Sequence, residues 1–237
     1  MRSPHIDGQE EPAIMTIFPN HAALDYDDRI VRLVPGYPLS LDLMACMLAT
    51  RFNGPCRILV PGCGTGAEVL ALASLLPYAR FTAVEPSPGM LEVARRKLAL
   101  ARMEDRVTFI QGMIDDLPDD QHDAATLSLV LHFLPDDGAK AALLAEIARR
   151  LVDNAPLLLF DAVWSNATDN ALGFWLQQQG HDEETANAVL KRMNSQWHRP
   201  SPERVSQLLA EAGFPAIEPF FQAFGFLGLR TQRRQRR

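Results

Sequence analysis

The chain has 237 residues, 47% of them hydrophobic and 22% charged, which is typical of a globular protein with a buried core. Its formal net charge of −6 disfavours a nucleic-acid partner, because general nucleic-acid binding needs a basic face. The three cysteines lack metal-ligand spacing, which predicts no metal site, no disulfide framework and a reducing, cytoplasmic location.

The N-terminal segment is polar and rich in proline and glycine, which predicts a disordered region over residues 1–18. No stretch approaches the roughly 18 apolar residues of a membrane span, so no membrane partner is expected. Helical spacing follows at 25–33 and 39–52, with prolines separating the two segments. These N-terminal helices, within 19–55, open a single domain predicted over 19–230.

From residue 57 the chain alternates between short β-like segments and helical segments. The predicted strands lie at 57–61, 80–85, 106–111, 123–129 and 156–161. The predicted helices between them lie at 66–76, 88–102 and 137–152. This alternation is typical of an α/β fold in which crossover helices connect parallel strands.

The C-terminal part departs from that alternation. Residues 164–200 are predicted to form a helical insertion before the last strands, and a helix is expected at 201–212. Two strands, at 215–221 and 224–230, are so close in sequence that they must pair as an antiparallel hairpin. Residues 231–237 are interpreted as a solvated basic tail.

Three alternating glycines, Gly62, Gly64 and Gly66, follow the first predicted strand. A glycine turn after a strand lets backbone approach a ligand closely, and the next helix presents free N–H groups there. The second strand ends in Glu85, whose carboxylate can accept hydrogen bonds from both hydroxyls of a ribose. The combination predicts a nucleoside site, but the glycines alone fit a nicotinamide cofactor and S-adenosylmethionine equally well.

The surrounding sequence separates these two cofactors. Glu85 is followed by Pro-Ser-Pro-Gly-Met, the third strand by Gly-Met-Ile-Asp115, and the fourth strand ends in Leu127-Ser-Leu-Val-Leu-His-Phe-Leu134. This succession resembles the class I S-adenosylmethionine-dependent methyltransferases over residues 57 to about 230. The resemblance implies a Rossmann-like seven-stranded sheet with a reversed last strand. It also implies S-adenosylmethionine as cofactor and S-adenosylhomocysteine as product.

That resemblance assigns the cofactor site to the ends of the first four strands. The glycine loop would pass the methionine moiety, Glu85 would hold the ribose hydroxyls, and the end of strand three would flank the adenine. The candidate cofactor-binding residues are Tyr37, Pro61, Gly62, Cys63, Gly64, Gly66, Glu85, Pro86, Met90, Gly112, Met113, Ile114 and Ser128.

Other segments are similar to one group, the carboxy-S-adenosylmethionine synthases. They are Tyr26-Asp-Asp-Arg-Ile, Leu33-Val-Pro-Gly-Tyr37, Leu131-His-Phe-Leu134 and Phe220-Phe-Gln-Ala-Phe-Gly-Phe226. Those enzymes convert S-adenosylmethionine and prephenate to a carboxylated sulfonium used in tRNA wobble-uridine modification. This similarity implies that Tyr37 contacts the cofactor and that Arg192 binds a substrate carboxylate.

Methyl transfer from a sulfonium asks the protein mainly to align the acceptor and exclude water. A general base is needed only when the acceptor carries a proton at the working pH. His132 follows the fourth strand, where the family's substrate face lies, and is the candidate catalytic base; a loop histidine without chemistry is the alternative. Arg192 is the candidate substrate residue, and a surface helix residue is its alternative.

The sequence thus predicts a methyltransferase that acts on a small molecule. Carboxyl transfer to the sulfonium is the alternative activity, and a binding protein with this fold but no turnover is a third hypothesis. A nicotinamide oxidoreductase fits the closing hairpin poorly. The identity of the acceptor and the oligomeric state, including a homodimer, stay open.

Overall fold

A computed structural model describes residues 23–165 and 168–235 of the chain. The segment 1–18, predicted to be disordered, lies outside the described residues.

The described residues contain seven strands in a single sheet. These are β1 (Cys56–Pro61), β2 (Ala79–Glu85), β3 (Val107–Gln111), β4 (Ala124–Ser128), β5 (Pro156–Ala162), β6 (Glu218–Ala223) and β7 (Phe226–Gln232). Their spatial order is β3-β2-β1-β4-β5-β7-β6. The first five strands are parallel, and β7 is antiparallel to both β5 and β6. The predicted α/β fold with a reversed last strand is confirmed.

The described residues also contain eight α-helices. These are α1 (Tyr26–Leu33), α2 (Tyr37–Arg51), α3 (Ala67–Leu75), α4 (Pro88–Leu100), α5 (Ala139–Arg149), α6 (Asp169–Gln178), α7 (Glu183–Ser195) and α8 (Pro202–Glu211). Helices α6 and α7 lie within the predicted insertion. Among the described helices, no single one combines the length and apolarity of a membrane span. Helices α1 and α2 meet both criteria only when taken together, across a 95° bend.

The core covers both faces of the sheet, and β5 shows how the sequence achieves this. All seven of its residues are buried. Leu157 and Leu159 belong to one apolar cluster, whereas Leu158 and Phe160 belong to the other. Successive side chains of a strand point to opposite faces, so a continuous apolar run fills two layers at once.

The closing hairpin begins and ends two or three residues later than the sequence predicted. Its turn consists of Phe224, in the left-handed region at φ +48°, and Gly225. A Cβ atom on Gly225 would lie 2.9 Å from the carbonyl oxygen of Val163, so backbone packing against the end of β5 fixes the position of the turn.

The interpretation of residues 231–237 as a solvated tail is wrong for the part that the structure describes. Thr231 and Gln232 form the end of β7. The backbone N–H of Arg233 donates to the carbonyl of Ala155 at 2.9 Å, and that of Arg234 donates to Gly213 at 2.7 Å. Continued pairing with the core outweighs the solvation of these basic residues.

Candidate functional site

A cavity of about 320 Å³ lies at the carboxyl ends of β1 to β4. Ligands of open α/β sheets bind at this edge, in the crevice where the strand order reverses. Ten of the predicted cofactor residues line the cavity: Pro61, Gly62, Gly64, Glu85, Pro86, Met90, Gly112, Met113, Ile114 and Ser128. The structure therefore brings together residues from four separate strand ends.

The glycine loop forms one wall of this cavity in a conformation that favours glycine. Gly62 and Gly64 have φ angles of +67° and +52°. A Cβ atom on Gly62 would lie 2.5 Å from Val130 Cγ2, whereas no described heavy atom lies within 4 Å of a Cβ placed on Gly64. Gly62 thus permits close packing of the loop, and Gly64 leaves space for a ligand beside the backbone.

Glu85 ends β2 and faces the cavity, with 7% of its surface exposed. Its Oε2 accepts a hydrogen bond from the Gly64 N–H at 3.0 Å, and its Oε1 accepts one from the Ser87 N–H at 2.9 Å. Burial raises the pKa of Glu85, and these two hydrogen bonds oppose the rise. Because each carboxylate oxygen has a second lone pair, both oxygens keep an acceptor site for a hydroxyl group.

Three predicted cofactor residues, Tyr37, Cys63 and Gly66, do not line the cavity. Tyr37 and Cys63 are buried in the apolar core, and burial raises the pKa of both side chains. A Cβ atom on Gly66 would lie 3.0 Å from the Cβ of Ala94, so this glycine serves the packing of α3 against α4. In the structure, Tyr37 and Cys63 therefore belong to the core and Gly66 to the packing between two helices.

Other lining residues were missing from the predicted set: Tyr26, Val84, Asp115, Leu129, Val130, Phe133, Leu134, Ala139, Ala142 and Leu143. Ala139 is three positions before Ala142 and four before Leu143 on α5, so these three residues share one helix face. An apolar helix face has the same sequence signal whether it covers core or a cavity, so periodicity alone did not identify them.

Glu68, on α3, is a second buried acid behind the glycine loop. Burial raises its pKa from 4.5 to about 7, and the hydroxyls of Thr126 and Ser128 partly oppose this rise. The sequence analysis missed Glu68, because an acid in the first turn of a helix ordinarily indicates a favourable dipole contact at the surface.

A second cavity, of about 220 Å³, lies between α1, α7 and the turn that follows β4. Three residues, Tyr26, Leu129 and Phe133, line both cavities, so the two adjoin. The predicted residues His132 and Arg192 line the second cavity, although 60 positions separate them in the sequence. Helix α7 of the insertion brings Arg192 to this place.

His132 is buried and paired with an equally buried carboxylate. Its Nδ1 lies 2.7 Å from Oδ1 of Asp161, near the end of β5. An ionised carboxylate only accepts hydrogen bonds, so in the neutral imidazole Nδ1 carries the proton and Nε2 has the lone pair. Nε2 is buried and has no hydrogen-bond partner among the described residues.

The backbone turn that carries His132 is held from two sides. Asp161 accepts hydrogen bonds from the N–H groups of Val130 at 2.8 Å and Leu131 at 2.7 Å. On the other side, the buried ammonium group of Lys140 donates to the carbonyls of Leu131 and Leu134. Burial lowers the pKa of Lys140, and the charge of Asp161 opposes that shift. Neither residue was a sequence candidate, because their role depends on contacts across the fold.

Comparisons with known proteins agree with this geometry. Residues 58–154 match the family model of the methyltransferase domain. The carboxy-S-adenosyl-L-methionine synthase of Yersinia enterocolitica is 30% identical over 220 residues, covering 88% of this chain and 81% of the relative.

Two solved structures show the same fold. The mitomycin 7-O-methyltransferase MmcR superposes with a TM-score of 0.65 at 21% identity, covering 83% of this chain and 53% of that one. Human N-acetylserotonin methyltransferase, solved in complex with SAM, superposes with a TM-score of 0.64 at 18% identity. The match covers 92% of this chain and 57% of that enzyme. The chain thus spans just over half the length of these two enzymes. By its domain match, its relative at 30% identity and its sheet order, the chain belongs to the class I S-adenosyl-L-methionine-dependent methyltransferases, with S-adenosyl-L-methionine as its cofactor.

Proposed function

We propose that this methyltransferase transfers the methyl group to a hydroxyl of a small molecule bound in the second cavity, with His132 as general base. The observation that carries the proposal is the 2.7 Å contact between His132 Nδ1 and Asp161, together with the unpartnered Nε2. A buried imidazole oriented by a carboxylate is suited to take a proton from a hydroxyl group.

The first cavity is the proposed cofactor site, and its residues fit the group. The free space beside Gly64 admits a ligand against the backbone, and the two remaining acceptor sites of Glu85 suit the two hydroxyls of a ribose. Gly112, Met113 and Ile114, at the end of β3, are proposed to flank the adenine, and Ser128 to face the methionine end.

The second cavity is the proposed acceptor site because it adjoins the first one through shared walls. S-adenosylmethionine held in the first cavity would supply an activated methyl group, whose transfer to the acceptor oxygen would leave the electrons of the methyl–sulfur bond on sulfur. The acceptor proton moves to His132 Nε2, and Asp161 stabilises the resulting imidazolium. The walls exclude water and align the acceptor, a proximity effect worth roughly 7–11 kcal/mol.

Carboxyl transfer to the sulfonium is the second candidate activity. It is favoured by the 30% identity to a carboxy-S-adenosyl-L-methionine synthase and by Arg192, which lines the second cavity. A carboxylate is costly to remove from water unless a fixed cation accompanies it, and Arg192 supplies that cation. In this reaction prephenate is the expected co-substrate: it gives up its carboxyl group and its hydroxyl. The methyl carbon stays bonded to sulfur, loses one proton to the water that forms, and makes the new bond to the carboxyl carbon.

We further propose a cytoplasmic location. All three cysteines are free thiols, and Cys56 and Cys63 are buried without a disulfide. An unpaired set of thiols is typical of a reducing compartment.

The test is a substitution series at the histidine–aspartate pair. We expect His132→Asn to lower kcat for a panel of small phenols and hydroxy acids by roughly 10²–10⁴-fold, because the proton acceptor is lost. Asp161→Asn lowers kcat as well, since the amide no longer fixes the tautomer. Asp105→Asn, at an exposed aspartate outside both cavities, is the matched control. Unchanged kcat in a folded His132→Asn protein would contradict the general-base role.

A further inference from the structure

The second cavity contains more hydrogen-bonding capacity than a general base requires. Three buried nitrogen atoms on its lining residues have no partner within the described part of the chain: His132 Nε2, His181 Nε2 and Trp197 Nε1. An unsatisfied buried polar group costs about 1–3 kcal/mol, so such groups are informative when they face a cavity. The general-base role accounts for His132 alone.

The indole of Trp197 limits which kind of atom can be its hydrogen-bond partner in the cavity. Its Nε1–H can only donate, so the partner must be an acceptor such as an oxygen atom. The ring centroid of Trp197 lies 4.2 Å from that of His132. An oxygen atom that accepts from Trp197 would therefore lie on the same small ligand as the hydroxyl proposed to face His132.

The charges around the cavity favour an anionic acceptor group. Two cations, Arg29 and Arg192, line it, and no aspartate or glutamate is found among its described lining residues. Arg29 lies 3.6 Å from Asp25, which offsets its charge. Arg192 forms no ion pair with any described residue, so its charge is available to a ligand.

The walls favour a small, flat molecule. Tyr26, Phe133 and Trp197 contribute aromatic rings, and the His132 ring lies 3.9 Å from that of Phe133. Aromatic walls favour planar ligands through stacking and edge contacts. The cavity volume of about 220 Å³ is below the roughly 300–1,000 Å³ of sites for drug-sized ligands.

Three of these lining residues, His181, Arg192 and Trp197, lie in the insertion at 164–200, which is hydrogen-bonded directly to the proposed base. The backbone N–H of His198 donates to the carbonyl of His132 at 2.7 Å. At the start of α6, Asp169 pairs with the buried guanidinium of Arg199 at 3.1 Å. The segment that contains Trp197 is thus held in a fixed position relative to His132.

From these observations we infer that the second cavity selects a small planar acceptor that carries an anionic oxygen group beside its reactive hydroxyl, with Trp197, His181 and Arg192 as specificity-determining residues. This inference rests on the proposed function, because it takes the hydroxyl at His132 as the methylated group. Trp197 and His181 bind the oxygen atoms, and Arg192 neutralises their charge.

The test measures binding rather than turnover. Protein saturated with S-adenosylhomocysteine is titrated in a calorimeter with 2-hydroxybenzoate and 4-hydroxybenzoate, and with the corresponding neutral hydroxybenzamides. We expect at least one carboxylate to bind tenfold or more tightly than its amide. Trp197→Phe, which keeps the ring but removes the N–H group, and Arg192→Met should each weaken that binding tenfold or more. Trp175→Phe on α6 and Lys191→Met on α7, at residues outside both cavities, are the matched controls.

The outcomes separate this inference from the proposed function. Equal binding of carboxylate and amide, or carboxylate binding unaffected by both substitutions, overturns the inference. In that case methyl transfer that depends on His132 would still support the proposed function. Loss of S-adenosylhomocysteine binding in the two variants would also overturn the inference, because it would assign these residues to the cofactor rather than to the acceptor.

Discussion

At the scale of single residues, the site depends on its glycines, which have no side chain, as much as on its acidic and aromatic side chains. Gly62 and Gly64 both have positive φ angles, but they serve different ends. A side chain on Gly62 would collide with Val130, whereas one on Gly64 would enter open space beside the cavity. Glu85 lies directly beside the loop, and the backbone N–H groups of Gly64 and Ser87 hold its two carboxylate oxygens. A ligand therefore meets a rigid and closely approachable surface.

Gly64→Ala tests this account of the loop. We expect the affinity for S-adenosylhomocysteine to fall on the order of tenfold or more, about 1.4 kcal/mol, because the new methyl group occupies ligand space. The matched control is Gly213→Ala, which has φ +94° and no described heavy atom within 4 Å of its Cβ, but lies outside both cavities. Both variants should lose about 1 kcal/mol of stability from backbone strain. Equal affinities in the two variants would contradict the account.

Glu68→Gln tests the buried acid behind the loop. Because the pKa of Glu68 is raised from 4.5 to about 7 in the folded protein, its contribution to stability is present below pH 4.5 and lost as the pH rises to about 7. The neutral amide does not undergo this loss. We expect the unfolding free energy of the wild type relative to Glu68→Gln to fall by about 1.4 kcal/mol per pH unit over that range.

Urea denaturation at several pH values measures this difference. Glu184→Gln, at an exposed position on α7, is the control substitution. A difference between wild type and Glu68→Gln that is constant with pH would show that Glu68 keeps an ordinary pKa.

At the scale of elements, the turn between β4 and α5 carries the proposed general base, His132, and is held by its neighbours. Asp161 of β5 binds its N–H groups, and Lys140 of α5 binds its carbonyls. The turn also includes Leu129, which has a positive φ of +57°. Such strain of about 1–3 kcal/mol persists only where surrounding contacts determine the conformation, and these two buried charges provide those contacts.

Lys140→Met tests the contribution of α5. The substitution keeps the length and apolar stem of the side chain but leaves the carbonyls of Leu131 and Leu134 without their donor. We expect a stability loss of about 2 kcal/mol and a fall in kcat of about tenfold or more, because His132 is no longer fixed. The KM for S-adenosylmethionine should stay within about twofold, since the glycine loop and Glu85 are unaffected. A rise in the KM for S-adenosylmethionine with an unchanged kcat would contradict a positioning role for Lys140.

At the scale of the whole molecule, the sequence predicted what depends on local patterns. The strand and helix order, the glycine loop and Glu85 follow from short segments, and the reversed strand follows from two adjacent strands and a family resemblance. Tyr37 and Cys63 were predicted to contact the cofactor and lie in the apolar core, because sequence position does not show which side of a loop faces the core. Lys140 and Asp161 act through contacts formed only on folding, and no local pattern distinguishes them.

The direction of group transfer at the sulfonium is the central claim, and one measurement tests it most directly. The purified protein is incubated with trideuteromethyl-labelled S-adenosylmethionine, a panel of small hydroxylated acids and, in a separate reaction, prephenate; the products are analysed by mass spectrometry. The account predicts S-adenosylhomocysteine together with an equal amount of an acid that carries the label, and loss of both in His132→Asn. A carboxylated sulfonium whose labelled carbon stays on sulfur as a dideuteromethylene group, formed without S-adenosylhomocysteine, would contradict it.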